Sequence, residues 1–200
     1  MFQRFSRTMR EAVLVEAQRR AAAEGAAEIG VEHLYAALTG TARCAARLAA
    51  IGLGAAQVTA VRDALAHSRR RAGLSRRDAD ALQTYGIDVA SLVERAEAQL
   101  GQDALAAAAP ATGGGRRSQR PPRSLPFAGE AKRAIEGALR QARARADREL
   151  REEHLLLGML TVRGPLADAL ADQGVTLASV HSALDALDAP AAPGGSERSA

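Results

Sequence analysis

Two hundred residues leave room for one domain or two small ones, and an apolar share of 47% is enough to fill a core. Aromatic residues make up only 2% and tryptophan is absent, so that core must be built from Ala, Leu, Val and Ile. A β-sandwich or barrel needs far more β-branched and aromatic side chains, whereas alanine is the strongest helix former, and the composition predicts an all-α protein. The 27 basic and 23 acidic residues leave a net charge of +4, and Lys132 is the single lysine. A phosphate-binding P-loop needs Gly-Lys-Ser/Thr, but Lys132 sits in Glu130-Ala131-Lys132-Arg133 with no glycine loop ahead of it. Cys44 is the only cysteine, so no intrachain disulfide forms, as expected in a reducing compartment. No apolar signal core follows Met1, and charged residues interrupt every apolar run. This predicts a soluble, cytoplasmic chain with no membrane partner.

In chain order, a long Arg- and Ala-rich amphipathic stretch follows Phe5. Then come Glu32-His33-Leu34, the apolar run Tyr35-Ala36-Ala37-Leu38, and a segment ending Leu48-x-x-Ile51-Gly52. In the next segment Val58, Val61 and Leu65 recur at helical spacing as one buried stripe, with Asp63 on the solvent side. Breaks at Gly25, Gly40 and Gly52 divide this into four helices. Between 68 and 105, Arg69-Arg70-Arg71 and Arg76-Arg77 lead into a helix pair in which Leu82, Gly86 and Leu92 repeat the spacing of Leu48, Gly52 and Val58. This is a helical insertion, read as a partial third copy. Residues 106–125 hold Pro110, three glycines and Pro121-Pro122, a flexible linker.

The opening order then returns. Phe127 precedes an amphipathic stretch, Glu153-His154-Leu155, the run Leu156-Leu157-Gly158-Met159, Leu170-x-x-Gln173-Gly174, and a last segment from Val175 to Leu187. The expected architecture is two pseudo-symmetric four-helix repeats, at 1–67 and 126–188, with a tail at 189–200 expected to be disordered. A single four-helix copy is marginal by itself, and two packed face to face share a larger core.

Two copies of such a unit, each opened by Phe and each with Glu-His-Leu starting its second helix, resemble the Clp N-terminal domain. The match is to the double repeat at the front of ClpC-type unfoldases, and Met1-Phe2-x-Arg4-Phe5 and Leu125-Pro126-Phe127 add to it. The resemblance implies a stand-alone, non-enzymatic module lacking the ATPase rings and needing no cofactor or metal. It would serve as an adaptor, decoy or substrate receptor, with Clp ATPase and protease subunits, their substrates and their adaptors as partners. It also implies an actinobacterial source, in keeping with the Ala and Arg usage. In the ClpC type each repeat holds phosphoarginine, with a Glu on the guanidinium and a Thr after the opening Phe on the phosphate. Carried onto this chain, the first site is Glu32 with Ser6, and the second is Glu153 with Ala128, which has no hydroxyl. The first copy is therefore expected to bind the mark better. Phe2 stands where related proteins bind cyclic-peptide antibiotics.

The same residues have plainer readings. A carboxylate in the first turn of a helix gains about 0.3–1 kcal/mol from the helix dipole, against the bidentate guanidinium fork of the binding reading. His33 and His154 lack further ligands at metal-site spacing, so structural imidazoles are expected. Cys44 lies between Arg43 and Arg47 near a helix start, which lowers a thiol pKa, but no base accompanies it and it is expected to fill space in the core. The Arg69-Arg70-Arg71, Arg76-Arg77 and Arg116-Arg117 clusters support an alternative, a nucleic-acid-binding or transcriptional regulator gripping phosphates. No aromatic interleaving or base-reading motif goes with them. Nothing in the chain argues for an enzyme: there is no nucleophile–base pair, metal cluster or phosphate loop.

Overall fold

The computed structural model describes residues 5–71, 73–101 and 124–189. Phe2, nearly all of the linker assigned to 106–125 and the tail beyond Ala189 lie outside the described residues. The rest is helical. The first helix, α1, covers 7–23 in three parts: an α-helical start Arg7–Arg10, a π-helical stretch Glu11–Glu16 and an α-helical end Ala17–Ala23. After it come α2 (Val31–Gly40), α3 (Ala42–Ala50), α4 (Ala55–Arg70), α5 (Arg76–Thr84), α6 (Val89–Leu100), α7 (Gly129–Ala144), α8 (Glu152–Leu160), α9 (Pro165–Asp172) and α10 (Leu177–Asp188). Among the described residues no single helix is long and apolar enough to cross a membrane.

The π stretch has a sequence cause. Phe5 and Glu32 are separated by one residue more than Phe127 and Glu153. A π turn absorbs one extra residue within a helix, and α7, which lacks the insertion, is α-helical throughout.

Helix α8 forms the centre. It packs against α2, α3, α7, α9 and α10, and every residue from Glu152 to Met159 is buried. A helix that is apolar nearly all round has no face to offer water, and Leu-Leu-Leu-Gly-Met in its middle imposes that position. The closest approach is to α7. A Cβ built on Gly158 would run into the Ala134 carbonyl oxygen and lie 2.6 Å from the Ala138 nitrogen, so only glycine lets the two backbones meet. One hydrophobic cluster contains Phe5, Met9, Leu38 and Leu48 together with Ile135, Leu155, Leu170 and Leu184. The chain before the linker and the chain after it therefore share a core.

Two short backbone crossings lock this arrangement. Ser6 N–H donates to the Leu150 carbonyl at 3.0 Å, and Ala128 N–H donates to the Ile29 carbonyl at 3.0 Å. Phe5 thus lies alongside Leu150, and Phe127 alongside Ile29. Each opening segment runs beside the residues that lead into the other half's Glu-His-Leu helix.

The α5–α6 hairpin is peripheral. Ser75 and Asp78 form a reciprocal N-terminal cap that starts α5, but no residue of α5 is buried and only Val89 is buried in α6. Tyr85, at the turn, is 83% exposed.

Candidate functional site

The two Glu-His-Leu motifs begin α2 and α8, and the histidines explain why helices start there. His33 Nδ1 accepts from Gly30 N–H at 2.9 Å, and His154 Nδ1 accepts from Arg151 N–H at 3.0 Å. Each imidazole reaches back to the residue before the helix and satisfies a backbone donor left without an intrahelical partner. With Nδ1 accepting, the ring proton lies on Nε2 and points at a carboxylate: Glu24 at 3.3 Å from His33, and Asp147 at 2.9 Å from His154. Both histidines are structural in this geometry. Among the described residues no group of three metal-ligating side chains comes together.

The glutamates that precede them differ. The Glu32 side chain is 34% exposed, and its nearest cation, Arg69 Nη1, is 3.9 Å away and mostly in solvent. Burial pushes the Glu32 carboxyl above its ordinary value; Arg69 opposes this, while the nearby carboxylates Glu130 and Glu24 add to it. Glu130, from the first turn of α7, accepts weakly from Val31 N–H at 3.4 Å and so stands at the head of α2. Glu32, Glu130 and Arg163 line a small depression of about 40 Å³, closed by Met159, Val162, Pro165 and Leu166. The result is a partly desolvated carboxylate pair in which the ion pair of Glu32 among the described residues is the long contact to Arg69.

Glu153 is 3% exposed and fully engaged. Arg47 of α3 grips it with two nitrogens, Nη2 to Oε1 at 2.9 Å and Nε to Oε2 at 3.4 Å. This is the fork-on-fork geometry that guanidinium and carboxylate favour. Next to it, the buried Cys44 thiol points at Glu152 Oε1 at 3.8 Å. Burial, reinforced by Glu152, pushes the Cys44 pKa up to about 12. The sequence context of flanking arginines and a helix start suggests a shift in the other direction. Desolvation outweighs it, and the thiol is inert filler in the core.

The resemblance pairs Ser6 with Glu32 and Ala128 with Glu153, each within one copy. The backbone crossings place them the other way: Ser6 beside Leu150, at the approach to the Glu153 helix, and Ala128 beside Ile29, at the approach to the Glu32 helix. The Ser6 hydroxyl caps α1 by accepting from Met9 N–H at 3.1 Å. Ala128 occupies the corresponding cap position of α7, buried and without a side-chain acceptor. Three residues that spacing does not single out, Arg47, Glu130 and Arg69, supply the charges around the two glutamates. Nothing in the one-dimensional pattern marks them, since each partner lies on an element distant in sequence.

The arginine clusters do not form a uniformly basic face. Arg71, Arg76 and Arg77 line a groove of about 830 Å³ between α4, α5 and α9, but Asp80, Asp168 and Asp172 line it too. Arg77 approaches Asp168 at 3.5 Å. A phosphate backbone laid there would meet carboxylates as well as guanidinium groups. Arg116 and Arg117 lie outside the described residues.

The buried Glu-His-Leu helix and the Phe127 segment that leads toward it both fall in the part of the chain with a recognisable relative. Residues 127–196 match the Clp repeat (R) N-terminal domain. The Clp repeat match thus includes the whole of α7 to α10. Among solved structures, the chain is similar to the N-terminal domain of the caseinolytic protease associated chaperone ClpD from Arabidopsis thaliana. The likeness has 17% sequence identity and a TM-score of 0.46, and covers 94% of this chain and 97% of that one. No curated protein matches the chain.

Proposed function

We propose that this chain is a non-enzymatic protein-binding module of the Clp proteolysis system, an adaptor, decoy or substrate receptor that captures arginine-bearing segments through Glu32. The Clp repeat match supports the module reading. The observation that carries the binding site is the state of Glu32, a carboxylate held partly out of water beside Glu130, whose ion pair among the described residues is the long, half-exposed contact to Arg69. A folded chain gains nothing by keeping such a group, and perturbed, under-partnered charges are characteristic of binding sites. A guanidinium supplied by another polypeptide would relieve it. Glu130 and the missing hydroxyl at Ala128 both disfavour a phosphate at this place. Unmodified arginine is therefore expected to bind at least as tightly as phosphoarginine.

Calorimetry with N-acetyl-arginine amide and with phosphoarginine tests this. Glu32→Gln is expected to weaken arginine binding by about tenfold or more, the value of a charged hydrogen-bonded contact, while Glu153→Gln leaves it unchanged. Equal losses from the two variants, or no binding by the unmodified chain, refute the reading. Co-purification of Clp subunits or substrates with the full chain from its native extract tests the module assignment separately.

Stability gives a second measurement. A carboxyl whose folded-state pKa is raised binds its proton more readily when folded, so the ionised form costs stability at every pH above the raised value. The cost fades as pH falls through that value and is gone below the ordinary value of 4.5. Glu32→Gln is thus expected to be more stable than the unmodified chain at pH 7, with the gap closing as denaturation is repeated toward pH 4.5. A variant less stable at pH 7 would show that Glu32 is a structural residue.

A further inference from the structure

The α5–α6 hairpin leaves a groove of about 830 Å³ where α5 faces α4 and α9. No residue of α5 is buried, and Ala60, Ala64 and Ala169 are too short to fill the space. The charges along it are segregated. Ser68, Arg71 and Arg76 lie around the turn from α4 into α5, whereas Asp168 and Asp172 stand one turn apart on α9. Arg77 and Asp168 partly answer each other at 3.5 Å, but Arg71, Arg76 and Asp172 form no ion pair among the described residues. Ser68 is only 5% exposed, and its hydroxyl has no hydrogen-bond partner among the described residues. A serine inside a helix can bond back to the carbonyl one turn earlier, and a buried hydroxyl that makes no bond costs stability. The groove thus combines unpaired charge of both signs with an unsatisfied hydroxyl. Pockets for small molecules are mostly apolar with a few polar groups, but most of this lining is polar or charged. A phosphate chain carries one sign only and would be repelled by the α9 wall.

We propose that this groove binds a polypeptide segment bearing charges of both signs, with an acidic side chain on Ser68, Arg71 and Arg76 and a basic one on Asp172. The Ser68 hydroxyl would donate to the incoming carboxylate, and the two guanidinium groups would neutralise it. Because α5 supplies one wall, the groove depends on the hairpin, and binding gives that peripheral element a role. Glu32 does not line the groove, so the site stands whether or not Glu32 takes arginine.

Fluorescence anisotropy with the full chain tests this, in a Glu32→Gln background so that arginine capture there cannot contribute. The probe is a short, labelled, capped peptide of repeated Glu-Gly-Arg-Gly units. It is compared with the same peptide carrying Gln for every Arg, with the one carrying Gln for every Glu, and with single-stranded oligothymidine. The mixed peptide is expected to bind about fivefold or more tightly than either single-charge peptide. Asp172→Asn on one wall and Arg71→Gln/Arg76→Gln on the other are each expected to weaken it by about fivefold. Ser68→Ala is expected to weaken binding by about threefold without lowering the thermal midpoint, because in the free chain it removes an unsatisfied hydroxyl. A serine that merely supports the fold would lower the midpoint instead. No binding by the mixed peptide, equal binding by the acidic one, or indifference to Asp172→Asn overturns the proposal. Tighter binding of oligothymidine than of the mixed peptide also overturns it and makes the groove a nucleic-acid site. None of these failures bears on the Glu32 reading, since Glu32→Gln is common to every sample.

Discussion

Gly158→Ala is expected to unfold the second half of the chain or to leave it barely stable. The new methyl would collide with the Ala134 carbonyl oxygen and stand 2.6 Å from the Ala138 nitrogen, both backbone atoms of α7. Neither can turn aside as a side chain would, so α7 and α8 must move apart and α8 loses contact with the core it centres. Overpacking in cores typically costs about 1–3 kcal/mol where neighbours can adjust, and a backbone collision belongs at or above the top of that range. Total stabilities of domains this size are only about 5–15 kcal/mol. Local propensity acts in the opposite direction, since alanine is favoured over glycine within a helix by about 1 kcal/mol. The sign of the change therefore separates tertiary packing from helix preference. Denaturant unfolding followed by circular dichroism measures it, and a variant as stable as the parent would show that the helices do not approach as described. Gly137→Ala, on the facing surface, is expected to cost less. Its closest neighbour, at 2.8 Å, is the Thr161 hydroxyl, which can rotate away, and the nearest backbone atom, the Gly158 Cα, stands farther off at 3.1 Å.

His154→Ala is expected to cost about 2–4 kcal/mol, and His33→Ala about half as much or less. His154 is fully buried, and its loss leaves a cavity at the head of α8, an unpartnered Arg151 N–H, and Asp147 without the Nε2 donor. His33 makes the same pair of contacts, but its ring is partly exposed and Glu24, its acceptor, is more than half exposed. Water can replace much of what is removed there. His154→Asn, whose side-chain oxygen can still accept from Arg151 N–H, is expected to recover part of the loss. Equilibrium unfolding of the four proteins under one condition decides the order. If both alanine variants lose equal stability, burial is not what distinguishes the two motifs.

The helical class was legible because it depends on composition and period. Alanine content, the scarcity of aromatic residues and the stripe of Val58, Val61 and Leu65 are local properties, and Val61 and Leu65 are buried as that stripe requires. The Glu-His-Leu tripeptides were legible as helix starts for a similar reason, since a capping imidazole acts within three residues of its target. The charge environment of the candidate site was not legible. Arg47 and Arg69 differ little in sequence from the many other arginines, and only the packing of α3 on α8 and the course of α4 past α2 show which one meets a carboxylate closely. The Cys44 context was misleading because flanking charges are visible in a sequence while desolvation is not.

By itself, then, the order of residues determined where helices begin, which faces are apolar, and which two glutamates stand in equivalent first turns, all of which follow from interactions within a few residues. Only the tertiary structure decided that the opening segments cross to the opposite half, that Glu153 is buried and paired, and that Glu32 has only a long ion pair to Arg69 among the described residues. The reason is that desolvation and ion pairing depend on which surfaces are brought together through a shared core. Residues about a hundred positions apart settle that here, with Arg47 against Glu153 and Glu130 beside Glu32.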